Sequence, residues 1–311
     1  MDENQLMIEH TMAVDFMADD GVFMPMLNDI GRNKFYQQSL DLAAKDKIVC
    51  DIGAGTGLLS VLALQAGAKH VIAVERNADR FEYLNQTLQK LGLENRIETR
   101  HIDFLHSDIQ ADVYVSETIN TQIFGEDILR LSNHVIDRGG QFIPSGFRIW
   151  AEVYKDHPVF VLDLSSNESY EFDPGIDISS DFINKIGQDF TQQYDLQKTI
   201  YTANQFNRLF TMLDRFNDLK LTKIGETAPI TINLNQHNIE SDIRITVPND
   251  SVGKNFPMIV LKWEMFFQDV VLHSNNCWFG NVAKPIRDQF RTGSDIVFYY
   301  DPIIRNWRLS Y

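Results

Sequence analysis

The chain has 311 residues, with 43 acidic against 28 basic side chains, a net charge of −15 and two cysteines. That length allows one large or two medium domains around a substantial core. The acidic balance, with no basic patch or tail, argues against nucleic acid and suits a cationic partner; the two isolated thiols give neither a disulfide framework nor a zinc signature; and no apolar run is long enough to span a membrane.

The start, Met1-Asp2-Glu3-Asn4-Gln5, is acidic and lacks a signal-peptide pattern, so a reducing cytoplasmic location is expected. Residues 1–45 read as helical. Their apolar patches, Ile8 to Phe16 and then Met24, Met26, Leu27 and Ile30, are broken by Gly21 and Pro25. Arg32 on the second patch is either a solvated surface residue or a planar fork for a carboxylate.

Next comes Ile48-Val49-Cys50-Asp51-Ile52-Gly53-Ala54-Gly55-Thr56-Gly57, a β-branched run with an acid, then a turn with glycine at every second position. Leu58 to Leu64 continues as an apolar helix face. Strand, glycine turn and helix open a nucleotide-binding α/β sheet, and glycines let the backbone approach a ligand closely. A dinucleotide fingerprint needs a sixth-position glycine where this chain has Leu58, which disfavours a nicotinamide dehydrogenase. The next strand, Val71 to Val74, ends in Glu75, a carboxylate placed to accept from both ribose hydroxyls of an adenosine.

From 46 to 143 the pattern alternates, with strands at 48–52, 71–75, 97–102, 113–117 and 141–143 and helices at 58–67, 78–91 and 126–134. This implies a parallel sheet covered on both faces, with ligand outside the carboxyl ends of its strands. Asp51, Glu75, Asp103 and Glu117 fall at or near such ends. After Pro144, period-2 segments from Arg148–Tyr154 to Ile296–Tyr300 predict a β-rich unit over 144–311, a barrel or a sandwich, interrupted by helical stretches at 179–192 and 203–215.

The segment from Ser116-Glu117 through Phe124-Gly125-Glu126 carries two glutamates on a loop that can fold back on one small target. Close like charges repel unless a cation lies between them. The natural cation is a guanidinium, planar and always charged. Glu126 could instead serve a helix N-terminus, although Asp127 beside it could meet that need.

These stretches resemble the protein arginine methyltransferases. Glycines at the first, third and fifth positions after an acid resemble motif I of the S-adenosylmethionine (AdoMet) methyltransferases. Glu117 and Glu126 have the spacing of the family's Ser-Glu-(eight residues)-Glu double-E loop. Met26-Leu27-Asn28-Asp29-Ile30-Gly31-Arg32-Asn33-Lys34-Phe35-Tyr36 resembles its cofactor-cap helix. Asn276-Cys277-Trp278 stands where the family has Thr-His-Trp, and Arg291 to Ile296 resembles the Lys-Thr-Gly-Glu-Glu-Ile that follows. Gly125 before Glu126 is closest to the members that make monomethyl- or symmetric dimethylarginine. Cys277 in place of the histidine and the missing aromatic Tyr-Phe-x-x-Tyr segment are departures.

The resemblance implies an α/β fold: an N-terminal helical cap over 1–45, a class I methyltransferase Rossmann-like domain over 46–143, and a β-barrel domain over 144–311 with an inserted dimerisation arm at about 168–200. It implies AdoMet as cofactor, held by Arg32 at the methionine carboxylate, by Asp51, Gly53, Gly55 and Gly57, by Glu75 at the ribose and by Asp103 at the adenine amino group. Glu117 and Glu126 are then the catalytic, arginine-binding pair, Trp278 shapes the substrate pocket, and no metal is required. The expected assembly is a homodimer, and the expected partner an arginine-containing protein or peptide, with free arginine as the alternative acceptor. A non-catalytic scaffold is the alternative of another class; it would be expected to lose Glu75 or a double-E carboxylate, and this chain keeps all three.

Overall fold

The computed structural model describes Leu27 and residues 29–120, 123–154, 222–237, 243–248, 258–274, 282–285 and 295–310. Met26, Cys277, Trp278 and the whole expected arm lie outside the described residues.

Five parallel strands form the first sheet: β1 (Ile48–Ile52), β2 (His70–Glu75), β3 (Ile97–His101), β4 (Val113–Ser116) and β5 (Gln141–Ile143), in the order β3-β2-β1-β4-β5. Val49, Cys50, Val71, Ala73, Val113, Tyr114, Val115 and Phe142 are all buried, so the central strands β1 and β4 are near-continuously buried rather than alternating, while the edge strand β3 buries only Ile97. From β1 the chain passes to β2 on one side, while β4 lies on the other. That reversal makes the carboxyl ends of β1 and β4 the place where such a sheet opens a crevice.

Helices α2 (Leu58–Gln65), α3 (Ala78–Lys90) and α4 (Ile128–Ile136) pack against these strands. Ahead of them, α1 (Ile30–Ala43) is capped by Asp29, whose Oδ1 accepts from the Arg32 amide at 2.9 Å. The buried side of α1, with Phe35, Tyr36, Ser39, Leu40 and Ala43, keeps the three-and-four spacing of one helix face.

The second half of the chain is antiparallel. β6 (Gly146–Tyr154) pairs with β10 (Met258–Phe267), with β7 (Lys223–Glu226) and with β8 (Ile230–Asn233), while β10 also pairs with β11 (Val270–His273) and β12 (Val282–Pro285). A separate sheet runs β14 (Asn306–Ser310)-β13 (Ile296–Asp301)-β9 (Arg244–Val247). Among the described residues these are two sheets and not one closed ring. No helix among them is long and apolar enough to cross a membrane.

The two halves share one buried cluster. α1 packs on α2 of the parallel half and on β11 of the antiparallel half. The Tyr36 hydroxyl donates to the Ser116 carbonyl at 2.9 Å and lies 3.9 Å from the Met265 sulfur on β10. Tyr36 is 1 % exposed, so its hydroxyl contributes in a setting where an unmet polar group is costly. We expect Tyr36→Phe to lower unfolding stability by about 1–3 kcal/mol in denaturant titration, with the circular dichroism spectrum unchanged. Equal stability would show that this hydroxyl does not help hold α1 on the sheet.

Candidate functional site

The crevice at β1 and β4 is lined by Leu27, Arg32, Asp51, the glycine turn from Gly53 to Thr56, Leu58, Leu59 and Glu117. Gly53 and Gly57 take left-handed φ values of 77° and 84°. A Cβ on Gly57 would also stand 2.9 Å from the Leu84 side chain. Glycine is therefore required there by conformation and by space. The turn is fastened to the neighbouring strand: the Gly53 and Ala54 amides both donate to the Val74 carbonyl at 2.9 Å.

Glu75 ends β2 with 4 % exposure. Its Oε2 accepts from the Gly55 amide at 3.1 Å and its Oε1 from the Asn77 amide at 2.8 Å. The carboxylate is thus fixed against the glycine turn, and each oxygen keeps acceptor capacity for a ligand. Asp51 is 1 % exposed; the Ser60 hydroxyl donates to its Oδ2 at 2.6 Å, while its Oδ1 has no partner among the described residues. Burial pushes the Asp51 carboxyl up to about 7, with the Ser60 bonds opposing and the Glu75 charge adding to the rise.

Arg32 and Glu117 meet across this crevice. Arg32 Nη1 lies 3.1 Å from Glu117 Oε2, with side chains 4 % and 10 % exposed. The sequence assigned these residues to different ligands; the fold pairs them. Glu117 Oε1 is buried without a hydrogen-bond partner among the described residues. Burial pushes the Glu117 carboxyl up to about 8 even though Arg32 pulls it down, and Glu126 and Asp29 raise it further.

Glu126 sits in the turn before α4, two residues short of the helix. The expected helix start at 126 is therefore corrected to Ile128. Asp127 holds the capping position in a left-handed conformation, φ 72°, which the helix cannot continue through. Glu126 is open to solvent, yet protein atoms crowd it and push its carboxyl upward, while Arg80 and Arg76 pull the other way. Two carboxyl groups close enough for one to raise the other repel mutually, so a cation between them relieves both.

The rest of the loop is shaped by packing. A Cβ on Gly125 would stand 2.2 Å from the Asn120 amide group, so this glycine makes room for a side chain. Asp103 caps a short turn, its Oδ1 accepting from the Leu105 amide at 3.0 Å, and is partly exposed. Arg76, Arg80 and Arg305 escaped sequence reading because isolated arginines carry no local signal. Only their neighbours in space mark them.

Glu117 titrates in the folded protein far above its ordinary 4.5, so it contributes stability that is complete below 4.5 and lost as pH rises through about 8. Glu117→Gln stays neutral and escapes that loss. We expect its melting temperature, relative to wild type, to climb steadily as pH goes from 5 to 8. A wild-type-minus-variant difference independent of pH would contradict the assignment.

A family model described as "Methyltransferase small domain" matches residues 13–121. "Protein arginine N-methyltransferase 7" of Oryza sativa subsp. indica is 28% identical over 196 residues, covering 56% of this chain and 27% of its own length. "Protein arginine N-methyltransferase 1" of Saccharomyces cerevisiae is 33% identical over 134 residues, covering 40% of this chain and 38% of its own length. The chain therefore spans well under half of these curated relatives. Among solved structures, the Trypanosoma brucei PRMT1 enzyme–prozyme heterotetrameric complex with AdoHcy aligns over 94% of both chains, with a TM-score of 0.58 at 15% identity, a likeness of fold. Over part of its length the chain is thus similar to protein arginine N-methyltransferases, with a methyltransferase domain match in its first half and a likeness of fold to a solved member over most of its length.

Proposed function

We propose that this chain transfers a methyl group from AdoMet to a guanidinium nitrogen of arginine in a protein or peptide. The observation that carries the reading is the Arg32–Glu117 pair in the crevice, with one Glu117 oxygen buried and unmatched among the described residues and Glu126 near enough to raise it. An unmatched carboxylate oxygen beside a second carboxylate is a site for a cation with several donors. The relatives' names and the AdoHcy in the Trypanosoma brucei neighbour's title point the same way.

The residues present fit AdoMet. Arg32 would hold the methionine carboxylate, Gly53, Gly55 and Gly57 would line the ligand, Asp51 offers an unmatched oxygen, and Glu75 would accept from the ribose. Asp103 would accept from the adenine amino group. When bound, AdoMet supplies a methyl already activated by its sulfonium, so no covalent intermediate on the protein is needed. Glu117 and Glu126 orient the guanidinium and offset the repulsion between two cationic reactants. They also bias its positive charge away from the attacking nitrogen. A guanidinium titrates above ~12, so it keeps its proton until transfer. Glu126, open to water, accepts that proton. Trp278 would wall the acceptor pocket.

We further propose a cytoplasmic homodimer. The apolar residues Phe172, Ile176, Ile178, Phe182, Ile183 and Ile186 support the dimer, and a monomeric mass by light scattering would count against it. The two antiparallel sheets share one buried cluster, which suits one barrel-like unit.

Glu126→Gln should lower kcat/KM on an arginine peptide roughly 10²–10³-fold, because it removes charge while keeping size. Adding Glu117→Gln should cost little more, since the two act on one group. AdoMet affinity should be unmoved by Glu126→Gln. Glu75→Ala should weaken AdoMet by more than about tenfold, since the ribose loses its acceptor and the Gly55 amide its anchor. Near-wild-type turnover of Glu126→Gln on every guanidine acceptor would make Glu126 a surface turn residue and remove the arginine assignment's main support.

A further inference from the structure

Glu126 makes no hydrogen bond to a described residue, so its place is set by the backbone that carries it. That backbone is strained and is held largely by the antiparallel half. Ile123 and Asp127, on either side, take left-handed φ values of 68° and 72°, and neither is glycine; such residues persist only where surroundings impose them. Chief among the surroundings is the hairpin of β13 and β14, near the end of the described chain.

The hairpin grips the loop on both sides of Glu126. Two residues before it, the Tyr300 hydroxyl donates to the Phe124 carbonyl at 2.9 Å. The Phe124 ring lies edge-on to Phe147 and Tyr300, with centroids at 5.4 and 5.5 Å, and tilted against Trp307 at 6.2 Å. One residue after it, Arg305 Nη1 lies 2.9 Å from Asp127 Oδ2, and Arg130 Nη1 lies 3.4 Å from Asp127 Oδ1. Asp127 is only 7 % exposed, so two guanidinium groups converge on a carboxylate largely withdrawn from water. Its side chain makes no capping bond to a backbone amide of the helix it precedes. A capping aspartate would spend its oxygens on helix amides; this one spends them on arginines.

Arg305 is itself held in shape. It sits at φ 53° in a turn where Asp301 accepts from the Ile303 amide at 2.9 Å and meets Arg308 at 2.7 Å. We propose that Arg305 is a positioning residue: acting through Asp127, it fixes the loop that presents Glu126 to the acceptor. The role of Glu126 rests on the arginine reading given above; the clamp does not.

Arg305 is 42 % exposed at its side chain, so replacing it should leave the fold intact. In Arg305→Met, hydrogen exchange of the amides from Ile123 to Leu131 should rise at least tenfold while β1, β2 and α1 keep wild-type protection. AdoMet affinity should stay within twofold of wild type. kcat/KM on an arginine peptide should fall at least tenfold, chiefly in kcat, and Arg305→Lys should restore part of it. Asp127→Asn should reproduce both effects, and the double variant should add little to either single one. Unchanged exchange over 123–131, or a loosened loop with wild-type turnover, overturns the proposal. If wild type methylates no arginine acceptor, the functional reading falls and the exchange result alone decides the clamp.

Discussion

A buried contact, Arg32 Nη1 to Glu117 Oε2 at 3.1 Å, is the constraint on which the site depends. A guanidinium withdrawn from water needs acceptor oxygens close by, and the Glu117 carboxyl supplies one whichever its protonation state. Arg32 comes from α1, capped by Asp29, and Glu117 from the end of β4. Their meeting therefore requires α1 to lie across the carboxyl edge of the parallel sheet. Tyr36, one turn along α1, fixes that crossing by reaching Ser116, the residue before Glu117. The helix over the crevice and the glutamate in its lining are in this way positioned by the same contacts.

The pair also joins two functions that would otherwise be separate. Arg32 is the group suited to a ligand carboxylate, and Glu117 the group suited to a guanidinium. While they hold each other, neither is fully available. Glu126 stands outside this pair, on a loop borne by the antiparallel half through Phe124 and Asp127.

Much of this was legible in the sequence, for reasons tied to particular residues. The parallel sheet follows from β-branched runs alternating with helical periodicity, and the turn from glycines that the observed φ values require. Glu75 was legible because a carboxylate after a buried strand has one natural place, the strand tip. Local reading failed where the determining partner is distant. Helix α4 begins after Asp127 and not at Glu126, because two arginines hold Asp127 in a left-handed conformation. Strand β14 went unpredicted: Asn306-Trp307-Arg308-Leu309-Ser310 carries little strand signal apart from Trp307, whose ring serves the Phe124 cluster. The pairing of Arg32 with Glu117 was invisible for the same reason, as each residue has a sound assignment when read alone.

The most direct test of the central claim is to incubate the full chain with methyl-labelled AdoMet and an arginine-rich peptide, its lysine counterpart and free arginine, and then to map label by fragmentation mass spectrometry. We expect label on guanidino nitrogens of the arginine peptide, none on the lysine peptide, and loss of that label in Glu126→Gln. Label on the lysine peptide, or none on either arginine acceptor while AdoMet binds, would contradict a site built to hold a guanidinium between Glu117 and Glu126.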